Sequence, residues 1–252
     1  MEQKWPQQLW LVRHGQSAGN VARDAAEAAA LHLIDIEHRD VDTPLSELGV
    51  QQSEALARWF AAMPPAERPT VVLHSPYVRA ADTAHIVLRG IGGAATVNAD
   101  ERLREKEFGI LDRLTPIGIA HKYPELHEQR SHVGKFYFRP PGGESWCDVI
   151  LRLRSVVDTI VREHRGERVL VVAHQVIVNC FRYLMERMTE AQILEFDRQG
   201  DVPNCSVTSY RFDPTVGKNG KLMLDLINFI APLEESGTPV TVQKDVPAAP
   251  KA

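Results

Sequence analysis

Cysteine is scarce in this chain: Cys147, Cys180 and Cys205 are the 3 in 252 residues, widely spaced and without a Cys-x-x-Cys pair. An odd, scattered set excludes a disulfide framework and a thiolate zinc site, and it predicts free thiols in a reducing compartment. Long apolar runs are missing as well. None approaches the ~20 residues that a membrane span needs, and the opening Met-Glu-Gln-Lys-Trp-Pro has no signal-peptide core. The expected location is the cytoplasm. Charge of one sign is missing too: the formal net charge is −4, so neither nucleic acid nor a membrane surface is an expected partner. There is no Walker A sequence. Gly90-Ile91-Gly92-Gly93-Ala94-Ala95 satisfies G-x-G-x-x-A but follows an expected helix and precedes an expected strand. A dinucleotide fingerprint needs the reverse order, so the stretch reads as a helix stop and loop.

What is present is enough for a full core, with 44% hydrophobic residues. Strand-like apolar runs recur at Leu9–Val12, Val71–His74, Ala95–Asn98, Val169–Ala173, Ser206–Phe212 and Leu222–Phe229. Helical periodicity fills the gaps, most clearly at Ser46–Met63, Val78–Leu88, Glu144–Glu163 and Val176–Met188. Strands alternating with helices predict an α/β fold with a mainly parallel sheet covered on both faces. The last two runs are joined by a short link containing Gly217 and Gly220 and predict a hairpin at one edge. Residues 107–143 break the alternation, and from about Glu235 the periodicity ends.

Four segments end a strand or follow one closely, and each carries polar residues suited to ligands. Arg13-His14-Gly15 follows the first run, with Ser17 as the N-cap of a following helix and Asn20 in its first turn. His74-Ser75-Pro76 precedes Arg79, Glu105 follows the third run, and His174-Gln175 ends the fourth. In an open α/β sheet, ligands bind outside the carboxyl ends of the strands, so the four segments are expected to converge on one crevice. Singly, each has an ordinary reading: a satisfied core histidine, a solvated arginine, one carboxylate in a charged run. Jointly, two histidines and two arginines are what phosphoryl transfer through an enzyme nitrogen requires. A neutral imidazole attacks phosphorus, its other nitrogen donating to a fixed acceptor such as a backbone carbonyl. Arginines hold the equatorial oxygens, and a carboxylic acid protonates the leaving oxygen and then activates water.

Leu11-Val12-Arg13-His14-Gly15-Gln16-Ser17 resembles the signature of the histidine phosphatase superfamily, the phosphoglycerate mutase-like fold. The likeness extends to Pro44–Gly49, His74-Ser75-Pro76 with Arg79-Ala80 and Thr83-Ala84, Leu103-Arg104-Glu105, Gly142–Ser145, the strand ending in His174, and Pro203–Val207. It implies a three-layer α/β/α sandwich whose mostly parallel central sheet carries an antiparallel edge strand. One domain is expected over 5–234, with 107–143 as an active-site lid or insertion, and the Ser-, Gly-, Pro-, Val- and Ala-rich stretch 235–252 reads as a disordered tail. Carried over, His14 is the phosphorylated nucleophile, and Arg13, Arg79 and His174 clamp the phosphoryl group. Asn20 resembles a further phosphate ligand and Glu105 the proton donor, while Gln16 and Ser17 line the same loop.

Within the family, Lys122–Glu125, Lys135–Pro140, Gly143-Glu144-Ser145 and Ala173-His174-Gln175 resemble the fructose-2,6-bisphosphatase branch. Gln175 is then a substrate contact. Arg130, Lys135 and Arg139 are receivers for a second anionic group, or else a solvated basic loop. The expected function is a metal-independent phosphatase acting on a small phosphorylated metabolite through phosphohistidine, with no cofactor and with a homodimer left open. The alternatives are a cofactor-dependent phosphoglycerate mutase, a sugar-bisphosphate-specific phosphatase, and a non-catalytic module that binds a phospho-ligand.

Overall fold

A computed structural model describes residues 3–93 and 95–243. Among them are six strands, β1 (Gln8–Arg13), β2 (Val71–His74), β3 (Thr96–Ala99), β4 (Arg168–Ala173), β5 (Val207–Asp213) and β6 (Lys221–Phe229). They form one sheet in the order β3-β2-β4-β1-β5-β6. The helices are α1 (Ala18–Ala28), α2 (Glu47–Ala62), α3 (Val78–Gly90), α4 (Pro116–Lys122), α5 (Pro124–Val133), α6 (Trp146–Glu163), α7 (Gln175–Met185), α8 (Glu190–Gln199) and α9 (Ala231–Glu235).

Side-chain alternation decides the layering. Leu9 and Leu11 of β1 and Val169 and Val171 of β4 enter one core with α6, α7 and α8. Trp10 and Val12, with Leu170 and Val172, enter a second core with α2, α3 and α9. Strands with both faces apolar are stable only between two helical layers, which makes the three-layer sandwich. β1, β4, β2 and β3 pair in parallel. β5 runs antiparallel to β1, and β6 to β5, so the expected hairpin closes one edge. The carboxyl ends of β1, β2 and β4 therefore open on the same side.

The turn after β1 is fixed by backbone packing. Ser46 N–H donates to the Gln16 carbonyl at 2.9 Å and Ala18 N–H to the Pro44 carbonyl at 3.0 Å. A Cβ on Gly49 would overlap the Gln16 carbonyl, and one on Gly15 would overlap the Gly49 carbonyl. Both positions need glycine for close approach. α1 then starts on a capping box, Ser17 with Asn20.

Two segments differ from expectation. Residues 107–143 contain α4 and α5, short helices that each begin on proline. Their apolar residues pack on a small cluster of Leu111, Leu114 and Phe138 rather than on either main core, so the sheet alternation carries no trace of them. The expected disordered tail from 235 is docked as far as its residues are described. Asn204 N–H donates to the Thr241 carbonyl at 3.0 Å, and Gln52 Nε2 donates to the Pro239 carbonyl at 2.9 Å. An extended segment held by backbone hydrogen bonds needs no periodicity. Residues 244–252 of that tail, and Ala94 in the glycine-rich stretch, lie outside the described residues. No helix among the described residues is long and apolar enough to cross a membrane.

Gly49→Ala should lower unfolding free energy by about 1–3 kcal/mol through overpacking against Gln16. Urea denaturation checks it, and an unchanged midpoint would contradict the contact.

Candidate active site

His14 sits one residue beyond β1, held by His14 N–H to the Ala173 carbonyl at 2.9 Å and by Asn204 Nδ2 to its own carbonyl at 2.9 Å. The side chain is 3% exposed. Its Nδ1 lies 2.6 Å from the Gly15 carbonyl oxygen. A carbonyl only accepts, so Nδ1 carries the proton and Nε2 keeps its lone pair. That lone pair accepts from Arg79 Nε at 3.2 Å. Burial, then the charges of Arg79 and Arg13, hold the His14 pKa well below the ordinary range, against the raising effect of the Gly15 bond. His14 is a neutral imidazole with its free electron pair at Nε2.

Arg79 projects from the first turn of α3 and is 5% exposed. Its remaining nitrogens meet Asp40, Nη1 donating to the backbone carbonyl at 2.6 Å and lying 2.9 Å from Oδ1. Asp40, in the turn Asp40–Asp42, was not singled out by the sequence; it lies in an aperiodic charged stretch that gives no signal. Arg13 is 3% exposed and donates through Nη1 to Gln175 Oε1 at 2.8 Å and to the Val202 carbonyl at 2.5 Å.

His174, 0% exposed, is buried beside His14 with ring centroids 5.1 Å apart, and it is not on the cavity wall. Its Nε2 lies 2.8 Å from Ser75 Oγ, which also accepts Tyr77 N–H at 3.2 Å. The Ser75 hydroxyl proton has His174 Nε2 as its acceptor, since Ser75 is fully buried and its hydroxyl meets no other acceptor among the described residues. This assigns the His174 proton to Nδ1, a buried atom without a partner. Burial is the main reason that its pKa, too, lies well below the usual value.

Arg13, His14, Asn20, Arg79 and Glu105 are among the residues that line a cavity of about 250 Å³. Glu105 is half-buried and accepts Lys106 N–H at 2.7 Å. Burial raises its pKa to about 7 despite that bond. It is a carboxylic acid poised to hold or give a proton near neutrality. Among the described residues no three His, Cys, Asp or Glu side chains group as a metal site.

The other expected contacts divide. Ser17 and Gln175 line the cavity, Ser17 as the α1 cap and Gln175 between Arg13 and Asp201, to which its Nε2 donates at 2.6 Å. Asn20 is there too, its Nδ2 donating to Gln243 Oε1 of the docked C-terminal segment. Gln16 is turned away, accepting from Ser46 Oγ at 2.8 Å. Lys135 borders the cavity but is spent on Asp197 at 2.5 Å, both side chains nearly buried at 5% and 4%. Arg139 is outside it, donating to the Gly143 carbonyl at 3.0 Å with its side chain 65% exposed. Arg130, on α5, does line the wall. Burial of Lys135 with a carboxylate 62 residues away is a tertiary fact without a local signal.

The model of the histidine phosphatase superfamily (branch 1) matches residues 9–220. A bifunctional protein of Mycobacterium tuberculosis is 34% identical over 169 residues, 67% of this chain and 41% of that protein. The 6-phosphofructo-2-kinase/fructose-2,6-bisphosphatase of Caenorhabditis elegans is 32% identical over 176 residues, 69% of this chain and 33% of that protein. The chain thus spans well under half of either relative. A 2,3-bisphosphoglycerate-dependent phosphoglycerate mutase of Rhizobium meliloti is 29% identical over 200 residues, 77% of this chain and 87% of the mutase. Among solved structures, mycobacterial glucosyl-3-phosphoglycerate phosphatase in a VO3 complex is similar at 25% identity. It has a TM-score of 0.66, with 88% of this chain and 99% of that chain covered.

The tautomers are open to direct measurement. Long-range 1H–15N spectra of the neutral protein should show His14 and His174 both protonated at Nδ1. Ser75→Ala should alter the His174 nitrogen shifts and leave those of His14 in place. A His174 ring protonated at Nε2 in the unmutated protein would contradict the assignment.

Proposed function

We propose, for a chain that belongs to branch 1 of the histidine phosphatase superfamily and is a phosphoric monoester hydrolase, a metal-independent mechanism through phosphohistidine on His14. The observation that carries it is the proton held at Nδ1 by the Gly15 carbonyl, which leaves Nε2 as the nucleophile. Phosphoryl oxygens replace Asp40 on Arg79 and take up donors from Arg13 and Asn20, while His174 stands behind the wall against the His14 ring. Arg79 Nε–H moves from the lone pair to an oxygen as Nε2 attacks. The P–O ester bond breaks as the N–P bond forms, and Glu105 gives its proton to the departing alkoxide. Water then attacks phosphorus with Glu105 as base, the N–P electron pair returns to His14, and inorganic phosphate leaves. Guanidinium groups and buried N–H donors supply the positive field that a metal gives elsewhere. The segment 107–143 acts as the lid of this site.

Every residue given a role comes from one chain, so the mechanism does not require a homodimer. The three free thiols favour a reducing, cytoplasmic location.

Hydrolysis of a small alkyl phosphate should persist in excess chelator and fall to background in His14→Ala. For alkyl esters kcat/KM should decline as pH rises through about 7, because Glu105 must be protonated to serve as acid. Glu105→Gln should remove that limb and lower kcat/KM by about 10²–10⁴-fold. Metal-dependent turnover would overturn the mechanism. Transfer of phosphoryl between bisphosphoglycerate and 3-phosphoglycerate, faster than release to water, would make the protein a mutase. Binding of phosphate esters without turnover would make it a binding module.

A further inference from the structure

We propose that the substrate of this site is the phosphate monoester of an apolar alcohol, aryl-substituted or branched, rather than of a sugar; this rests on the phosphatase reading above. Beyond the arginines the cavity wall changes character. Ile34 and Ile36 on one side, and Leu114, Ile119, Leu126 and Phe138 on the other, line the space that the leaving group must occupy. All six are buried or half-buried. Four of them come from the 107–143 segment, whose helices pack on their own apolar cluster.

Other basic residues border the same cavity: Arg23, paired with Glu27 at 2.8 Å, and Lys106, whose ammonium stands over the Phe108 ring, are both half-buried. His38, Arg113 and His127 are exposed, and Arg113 Nη2 is engaged with the His38 carbonyl at 2.8 Å. A second phosphate would need a buried, convergent pair like Arg13 and Arg79. Of the three residues expected to provide it, Lys135 is turned to Asp197 and Arg139 lies outside the cavity. Arg130 remains on the wall, half-buried on α5. Sugar hydroxyls turned to the isoleucine, leucine and phenylalanine of this wall would lose hydrogen bonds to water that those side chains do not return. An apolar skeleton loses none and gains by leaving water. The phosphoryl group is thus held by charge at one end and its alcohol by apolar contact at the other, the usual division of labour in a small-molecule pocket.

The test compares esters whose leaving groups are primary alcohols. With 2-phenylethyl and 3-methylbutyl phosphate, kcat/KM should exceed that for glycerol 3-phosphate and fructose 1,6-bisphosphate by at least about tenfold. Ile119→Asn should reduce the ratio of kcat/KM for 2-phenylethyl phosphate over glycerol 3-phosphate about tenfold. Calorimetry with the unmutated protein gives a second readout that needs no chemistry: 2-phenylethylphosphonate should bind at least about tenfold tighter than methylphosphonate. Equal rates across the esters, faster turnover of the sugar bisphosphate, or equal binding of the two phosphonates would overturn the proposal. Preferential phosphonate binding with no hydrolysis of any ester would overturn the phosphatase reading instead, and with it the claim of a substrate, leaving a preference in binding alone.

Discussion

The hydrogen bond from His14 Nδ1 to the Gly15 carbonyl, 2.6 Å long, is the interaction on which the rest depends. It fixes the ring, selects the tautomer and aims Nε2 at the cavity. The bond alone would raise the basicity of the ring, and a protonated imidazole has no pair to offer. Burial and the two arginines work in the opposite direction and win, keeping the ring neutral. The same arginines that disfavour a charged histidine favour a charged ligand in front of it. In the proposed mechanism, nucleophile activation and anion binding are one electrostatic arrangement.

The fold makes that arrangement affordable in geometry. β1, β2 and β4 end on the same side, which brings residues 13, 79 and 174 together from three distant parts of the chain. The backbones of Gly15 and Gly49 meet so closely that the turn carrying His14 has no room to shift. Ser75 performs for His174 what Gly15 does for His14, by a side chain instead of a carbonyl. Asp40 pairs with Arg79, so a carboxylate stands where the proposed mechanism puts a phosphoryl group.

Much of this was legible in the sequence because it is local. Strand, turn and capped helix follow one another in Leu9–Asn20, and each of Arg13, His14, Arg79, Glu105 and His174 stands at a strand end or just past one. What was not legible depends on partners remote in the chain. Lys135 reads as a basic loop residue until Asp197, 62 residues away, is seen against it. Asp40 lies in a charged run with no periodicity. Pro239 and Thr241, in the stretch that reads as a tail, are held by hydrogen bonds from Gln52 and Asn204, which no composition rule detects. The apolar wall was hidden in the same way, since α4 and α5 bury their apolar residues on each other and not on the sheet.

The most direct measurement is the position of phosphorus on the trapped enzyme. Rapid base quench of the protein turning over a 32P- or 31P-labelled ester, followed by peptide mapping and NMR of the phosphopeptide, gives both residue and ring nitrogen. The expected result is one phosphoryl group on Nε2 of His14. Phosphorus on Nδ1, on another residue, or on no residue during steady turnover would contradict the account.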